Sequence, residues 1–171
     1  YFGTVGVGIA PATKLAELAG LVLENGIRTD AQGRTSDPHV WAAGDCASFP
    51  WKEGRIRLES VGNAIHQAET VAENMLGAGV DYVAQPWFWS DQYDIKLQIV
   101  GFSSRSEQAV LRGEPESRSF AVFFLDEGRL TSVYAINSPR EFMLSKKLIA
   151  LGARPDPALL SDTTVPFKEI A

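Results

Sequence analysis

The 171 residues contain a single cysteine, Cys46, and only two histidines, His39 and His66. One thiol excludes an internal disulfide, a CxxC redox pair or a thiolate cluster, and two isolated imidazoles are too few for a metal centre. Both histidines read as surface or capping residues. Long apolar runs are lacking as well: a spanning helix needs ~20 such residues, and "YFGTVGVGIAPA" is the longest mostly apolar stretch. No basic segment precedes it, so the chain reads as soluble, without a secretory leader, and cytoplasmic. Positive charge is scarce, with 16 Lys and Arg against 21 Asp and Glu for a net charge of −5. With no Lys/Arg stripe and no interleaved aromatics, neither nucleic acid nor membrane is an expected partner. A GxGxxG fingerprint is missing, since Pro11 of "GVGIAP" stands where a phosphate-binding helix would open. No GxSxG elbow frames a serine, so hydrolysis has no support.

What is present suits a globular protein with a sizeable core: 45% hydrophobic and 22% charged residues. The acidity is concentrated in residues 1–86, where 6 basic side chains face 10 acidic ones, against 10 and 11 in residues 87–171. Arg105, Arg112, Arg118, Arg129, Arg140, Lys146 and Lys147 are candidates for a local basic face. "FGTVGVGIAP" predicts a buried strand and "TKLAELAGL" a helix with Leu15, Leu18 and Ala19 inward, stopped by Gly20. "ENGIRTDAQGR" suggests a brief hairpin, "HVWAA" a short strand before Gly44, and Pro50 to Gly54 a loop. A helix starts near Ser60 to Asn63, with Ile65, Ala68, Ala72 and Met75 as its apolar stripe. Beyond residues 77–87 the texture turns to β: "WFWSDQ", "IKLQIVGF", "SFAVFFLD" and "RLTSVYAIN", with "DEGR" as a hairpin turn. Ser138, Pro139 and Glu141 predict a capping box opening a helix that Gly152 closes, and Asp156-Pro157 opens a short one.

Two features invite chemistry. "AAGD" ends an apolar run in Gly44-Asp45, which by itself is a turn more readily than a site. Trp87, Phe88 and Trp89 cluster at the module boundary, where a Trp-rich strand either fills a core or lines a ligand or partner.

In order, "GVGIAP", "GLVLENGIRTDAQGRTSDPHVWAAGDC", "RLESVGNAIHQAETVAENMLG" and "PWFWSDQYDIKLQIVG" resemble the FAD-dependent ferredoxin reductases of bacterial oxygenase systems, within the glutathione-reductase-like flavoprotein class. The similarity covers essentially the whole chain and corresponds to the C-terminal part of that family, less than half of its length. It implies an α/β plus α+β fold: residues 1–19 end an NAD-binding domain, 20–86 form the C-terminal half of an FAD-binding domain, and 87–171 make a β-meander and helix interface domain.

The resemblance also implies roles. Asp45 matches the aspartate that holds a ribitol hydroxyl of FAD, and Gly44 permits the close approach. Ser60 and Val61 match the positions whose amides face the flavin pyrimidine edge, where a helix N-terminus favours arriving negative charge. Trp89 matches an aromatic near the flavin and the electron exit, and Gly6 and Gly8 a loop near the nicotinamide. Ala12 and Val61 depart from residues frequent in relatives, Asn and Trp respectively. No catalytic or metal-ligating side chain is implied, and no "HPT" helix occurs, which disfavours disulfide reduction. The implied parent passes electrons from NAD(P)H through FAD to a [2Fe–2S] ferredoxin, and a homodimer through residues 87–171 is a further expectation. These residues alone are expected to be inactive, because the two dinucleotide fingerprints should precede Tyr1. An NADH oxidase or rubredoxin reductase on the same scaffold, or a non-catalytic interaction module, are the alternatives.

Overall fold

The computed structural model describes residues 8–103 and 107–170. Most of the strand expected at "FGTVGVGIAP", together with Gly6 and Arg105, lies outside the described residues. The chain divides into two compact units, Tyr1–Ala84 and Gln85–Ala171.

The first unit is loop-rich. Helix α1 (Lys14–Leu18) ends before Gly20, whose φ of 69° suits a left-handed stop. Its expected apolar face is corrected: Ala16 is the buried residue, whereas Leu15 and Leu18 are exposed. One turn of helix buries a single small side chain here. The Asn25-Gly26 turn forms, with Leu23 bridging Ile27, yet β1 (Ile27–Arg28) then runs parallel to β2 (Ala47–Trp51). β2 occupies part of the expected loop and turns through Lys52 into β3 (Gly54–Ile56), pairing antiparallel. "HVWAA" is not a strand; Trp41 makes one isolated bridge to Arg34, and Gly44–Cys46 form a 3-10 turn. Phe49, Leu58 and Ala84 make the apolar core, with Phe49 meeting Tyr82 edge-on at 5.5 Å.

Helix α2 (Val61–Met75) begins within the expected Ser60 to Asn63 window, but the opposite stripe faces inward. Asn63, Gln67, Val71 and Asn74 are buried; Ile65 and Met75 are exposed. The reason lies in what α2 covers. Loops, not a sheet, lie beneath it, and their backbone groups need partners. Asn74 Nδ2 donates to the carbonyls of Gln32 at 2.9 Å and Val80 at 2.8 Å, while its Oδ1 accepts the Val80 amide at 2.7 Å. Gly33 passes so close that a Cβ there would lie 2.2 Å from Val71 Cγ2.

The second unit is a five-stranded antiparallel sheet ordered β4-β5-β8-β7-β6. Its strands are β4 (Trp87–Gln92), β5 (Ile95–Gly101), β6 (Gln108–Glu114), β7 (Ser119–Asp126) and β8 (Arg129–Ile136). Glu127 and Gly128, at φ 48° and 80°, close the β7–β8 hairpin as "DEGR" predicts. Alternation aims Ala121, Phe123 and Leu125 at one face, where Leu130, Val133, Phe142, Leu148, Leu160 and Phe167 join them. Each large side chain buried there contributes about 1.5–3 kcal/mol. Helix α3 (Pro139–Ala150) has Pro139 in its first turn and Gly152 past its end. The expected capping box is absent: Ser138 makes no side-chain cap bond, and Glu141 turns instead toward Arg112, with Oε1 3.6 Å from Nε. In α4 (Pro157–Ser161), Asp156 Oδ1 accepts the Ala158 amide at 2.8 Å.

The basic-face expectation also changes. Arg112 is buried and Arg118 is ion-paired with Asp94 at 2.7 Å, so neither is a free surface cation.

Candidate functional site

Four of the expected site residues meet in the first unit. The Gly44–Cys46 turn packs against the opening turns of α2. Gly44 sits at φ 76°, a conformation that L side chains rarely adopt, and a Cβ there would lie 3.4 Å from the Ala64 Cβ. Its amide donates to Gln67 Oε1 at 2.8 Å. Asp45, next in the turn, is exposed, and its carbonyl accepts from Arg57 Nη1 at 3.0 Å. Arg57 also pairs with the Glu59 carboxylate, which holds its head beside the turn.

At the start of α2, Ser60 Oγ accepts the Asn63 amide at 3.3 Å and the Ser60 carbonyl accepts the Ala64 amide at 2.9 Å. The amides of Val61 and Gly62 have no partner within the helix, as geometry requires of a first turn. No acidic side chain stands in that turn to neutralise it. A helix of this length presents roughly half a positive charge at that end. An exposed carboxylate thus stands on a turn packed against the helix whose first turn carries no acidic side chain, an arrangement suited to a ligand that donates hydroxyls at one end and presents acceptors or negative charge at the other.

Three other expected residues are placed differently. Trp89 belongs to the second unit, where it stacks on Trp87 at 5.3 Å between ring centres and 21° between planes. Lys146 Nζ lies 4.7 Å from the Trp87 ring centre, a cation–π contact. Gly8, at φ 92°, has open space where a Cβ would point, and the described residues bring it to none of the others. Gly6 is outside the described residues. Among them, no group of three or more His, Cys, Asp or Glu is arranged to hold a metal, and no helix is long and apolar enough to cross a membrane.

Gln67, Asn63 and Arg57 were missed by the sequence reading. The first two carried a signal: Asn63, Gln67 and Asn74 recur with Val71 at helical spacing, a mostly polar stripe beside the apolar one. Asn63 also accepts the Tyr82 hydroxyl at 3.0 Å. Burial pushes the Tyr82 phenol above its ordinary value of 10.0. The neutral form is favoured in the folded state, so this contribution is complete below pH 10 and fades as pH rises toward the raised value. Tyr82→Phe is expected to cost about 1 kcal/mol near neutrality through the lost hydrogen bond and to flatten the alkaline limb of stability. Denaturant midpoints measured across an alkaline pH series check this, and an unchanged alkaline limb would assign that limb to other groups.

The family model described as pyridine nucleotide-disulphide oxidoreductase matches residues 4–68, and the one described as reductase C-terminal matches residues 87–171. A ferredoxin–NAD(P)+ reductase of Sphingomonas sp. is 42% identical over 168 residues, covering 96% of this chain and 40% of that protein. A ferredoxin reductase of Rhodopseudomonas palustris superposes with a TM-score of 0.90 at 39% identity, covering 97% of this chain and 42% of that one. The reductase in the covalent putidaredoxin reductase–putidaredoxin complex gives 0.87 at 41% identity, with 96% and 40% covered. The chain therefore spans about two fifths of the length of the relatives it matches.

Proposed function

Because the chain belongs to the pyridine nucleotide-disulphide oxidoreductases that carry a reductase C-terminal domain, we propose that its first unit holds the ribitol and pyrimidine edge of FAD in an NAD(P)H-dependent ferredoxin reductase. The observation that carries this reading is the exposed Asp45 carboxylate on a positive-φ glycine turn, packed against a helix whose first turn carries no acidic side chain. FAD fits these residues, since its ribitol donates hydroxyls and its pyrimidine edge offers carbonyl oxygens. When bound, FAD supplies the conversion of a two-electron hydride donor into single-electron output.

The remaining work falls to side chains and backbone of this chain. Asp45 would accept a ribitol hydroxyl in a charge-assisted hydrogen bond. Gly44 keeps that approach clear of a Cβ. The Ser60 and Val61 amides would donate to the pyrimidine edge, and the α2 dipole would favour negative charge there. Trp89, held against Trp87, is the aromatic we assign to electron exit toward a [2Fe–2S] ferredoxin; the relatives' printed names and the putidaredoxin complex support a ferredoxin as the partner class. A reaction drawing on the NAD(P)H pool belongs in the cytoplasm.

The test uses the complete gene product. It is expected to purify with the visible absorption bands of bound flavin and to reduce a [2Fe–2S] ferredoxin when NADH or NADPH is added. A product without flavin bands, or one that consumes oxygen rapidly and reduces no ferredoxin, overturns the reading.

A further inference from the structure

We propose that Gln67 is the positioning residue for Asp45, aiming its carboxylate through the Gly44 amide; this rests on the flavin reading above and deepens it. Gln67 sits in the middle of α2 and is 1% exposed, at a position where an aliphatic side chain would ordinarily pack. Its Oε1 accepts the Gly44 amide at 2.8 Å and lies 3.5 Å from Asn63 Nδ2, while its Nε2 has no partner among the described residues. A buried amide that is satisfied only through its oxygen costs stability, so packing alone does not explain it. What the oxygen does, besides its longer contact with Asn63, is hold one backbone amide, that of the residue immediately before Asp45.

The hold is itself anchored. Asn63 Nδ2 donates to the Leu58 carbonyl at 3.1 Å, and Asn63 Oδ1 accepts the Tyr82 hydroxyl at 3.0 Å. A chain of buried polar contacts thus runs from Tyr82 through Asn63 and Gln67 to Gly44. Gly44 has a wide choice of backbone angles, because it lacks a Cβ. Its φ of 76° decides the direction in which the next residue leaves the turn. The other side-chain contacts on the turn act after that point or weakly: Arg57 Nη1 reaches the Asp45 carbonyl at 3.0 Å, and Cys46 Sγ lies 3.6 Å from the Ala43 carbonyl. With Gln67 in place the Asp45 carboxylate is aimed before ligand arrives, so less orientational freedom is lost on binding.

The experiment titrates FAD into the flavin-stripped complete gene product and reads affinity by flavin fluorescence, with thermal stability recorded beside it. Gln67→Met is expected to weaken FAD binding about tenfold, the size of one lost buried hydrogen bond. Gln67→Glu keeps the shape and the acceptor oxygen, and is expected to bind within about threefold of wild type; it also serves where the methionine variant does not fold. Asn74→Leu, at the far end of the same helix, is expected to lower thermal stability and leave FAD affinity unchanged. The deciding readout is the double variant. If Gln67 acts through Asp45, adding Gln67→Met to Asp45→Ala costs little further affinity; additive losses would overturn the proposal. Equal weakening by Asn74→Leu would also overturn it, as would wild-type affinity in Gln67→Met. A wild-type protein that takes up no FAD would instead overturn the flavin reading together with the inference.

Discussion

Arg112→Met is expected to destabilise the second unit by about 3–5 kcal/mol, the cost of breaking a buried charged pair on one side only. Arg112 projects from β6 and is 7% exposed. Its Nη1 donates to the carbonyls of Asp162 at 2.6 Å and Leu160 at 3.2 Å, and its Nη2 to that of Val165 at 2.7 Å. Glu141 stands 3.6 Å from Nε, and the guanidinium carbon lies 5.6 Å from the Phe167 ring centre. One planar fork therefore holds the segment after α4 against the sheet. Removing it takes a donor from each of three carbonyls, the cation from the Glu141 carboxylate and the guanidinium from the Phe167 ring, which keeps Phe123 at 5.2 Å. Lysine should not substitute, because a single ammonium does not reproduce the fork. Denaturant unfolding followed through the far-ultraviolet signal checks this. A loss below about 1 kcal/mol would show that the apolar contacts of Leu160 and Phe167 hold the segment without help.

Arg112 also marks where sequence reading stops. Strands β4, β5, β7 and β8 were legible because aromatic and β-branched residues alternate within them and Glu127-Gly128 punctuates them. The extent of α2 was legible because its residues recur at helical spacing, although the stripe chosen was not the one that faces inward. These signals are local. β6 went unread, since Arg112 and Gly113 break its apolar pattern, and the partner that makes Arg112 a buried residue lies about fifty positions away in the chain. Ser138 and Glu141 match the capping-box spacing, yet the long-range pull of Arg112 on Glu141 wins over the local bond. The inward face of α2 was misread for a related reason: hydrophobic periodicity assumes that a helix covers apolar side chains, and α2 covers backbone. At the candidate site, Gly44 and Asp45 stood out as a motif, but Gln67 is visible as their support only once the turn and the helix are seen packed together.

Asp45→Ala in the complete gene product is expected to weaken FAD binding by about ten- to a hundredfold, corresponding to ~1.5–3 kcal/mol for a hydrogen bond made by a charged group. The prediction is clean because the carboxylate is exposed and has no hydrogen-bond or ion-pair partner among the described residues. The bond to Arg57 uses the Asp45 carbonyl and survives the change. Stability should therefore move by no more than about 0.5 kcal/mol, so that a loss of flavin reads as a lost ligand contact and not as a damaged fold. Asp45→Asn keeps the shape and an acceptor oxygen without the charge, and should fall between alanine and wild type. Gly44→Ala acts differently: at φ 76° it meets a backbone penalty of about 1–2 kcal/mol, while its new methyl only touches Ala64. It should lower stability and flavin affinity together. Affinity unchanged in Asp45→Ala, with a fold intact by thermal melting, would remove the carboxylate from the site and leave the turn as a structural corner alone.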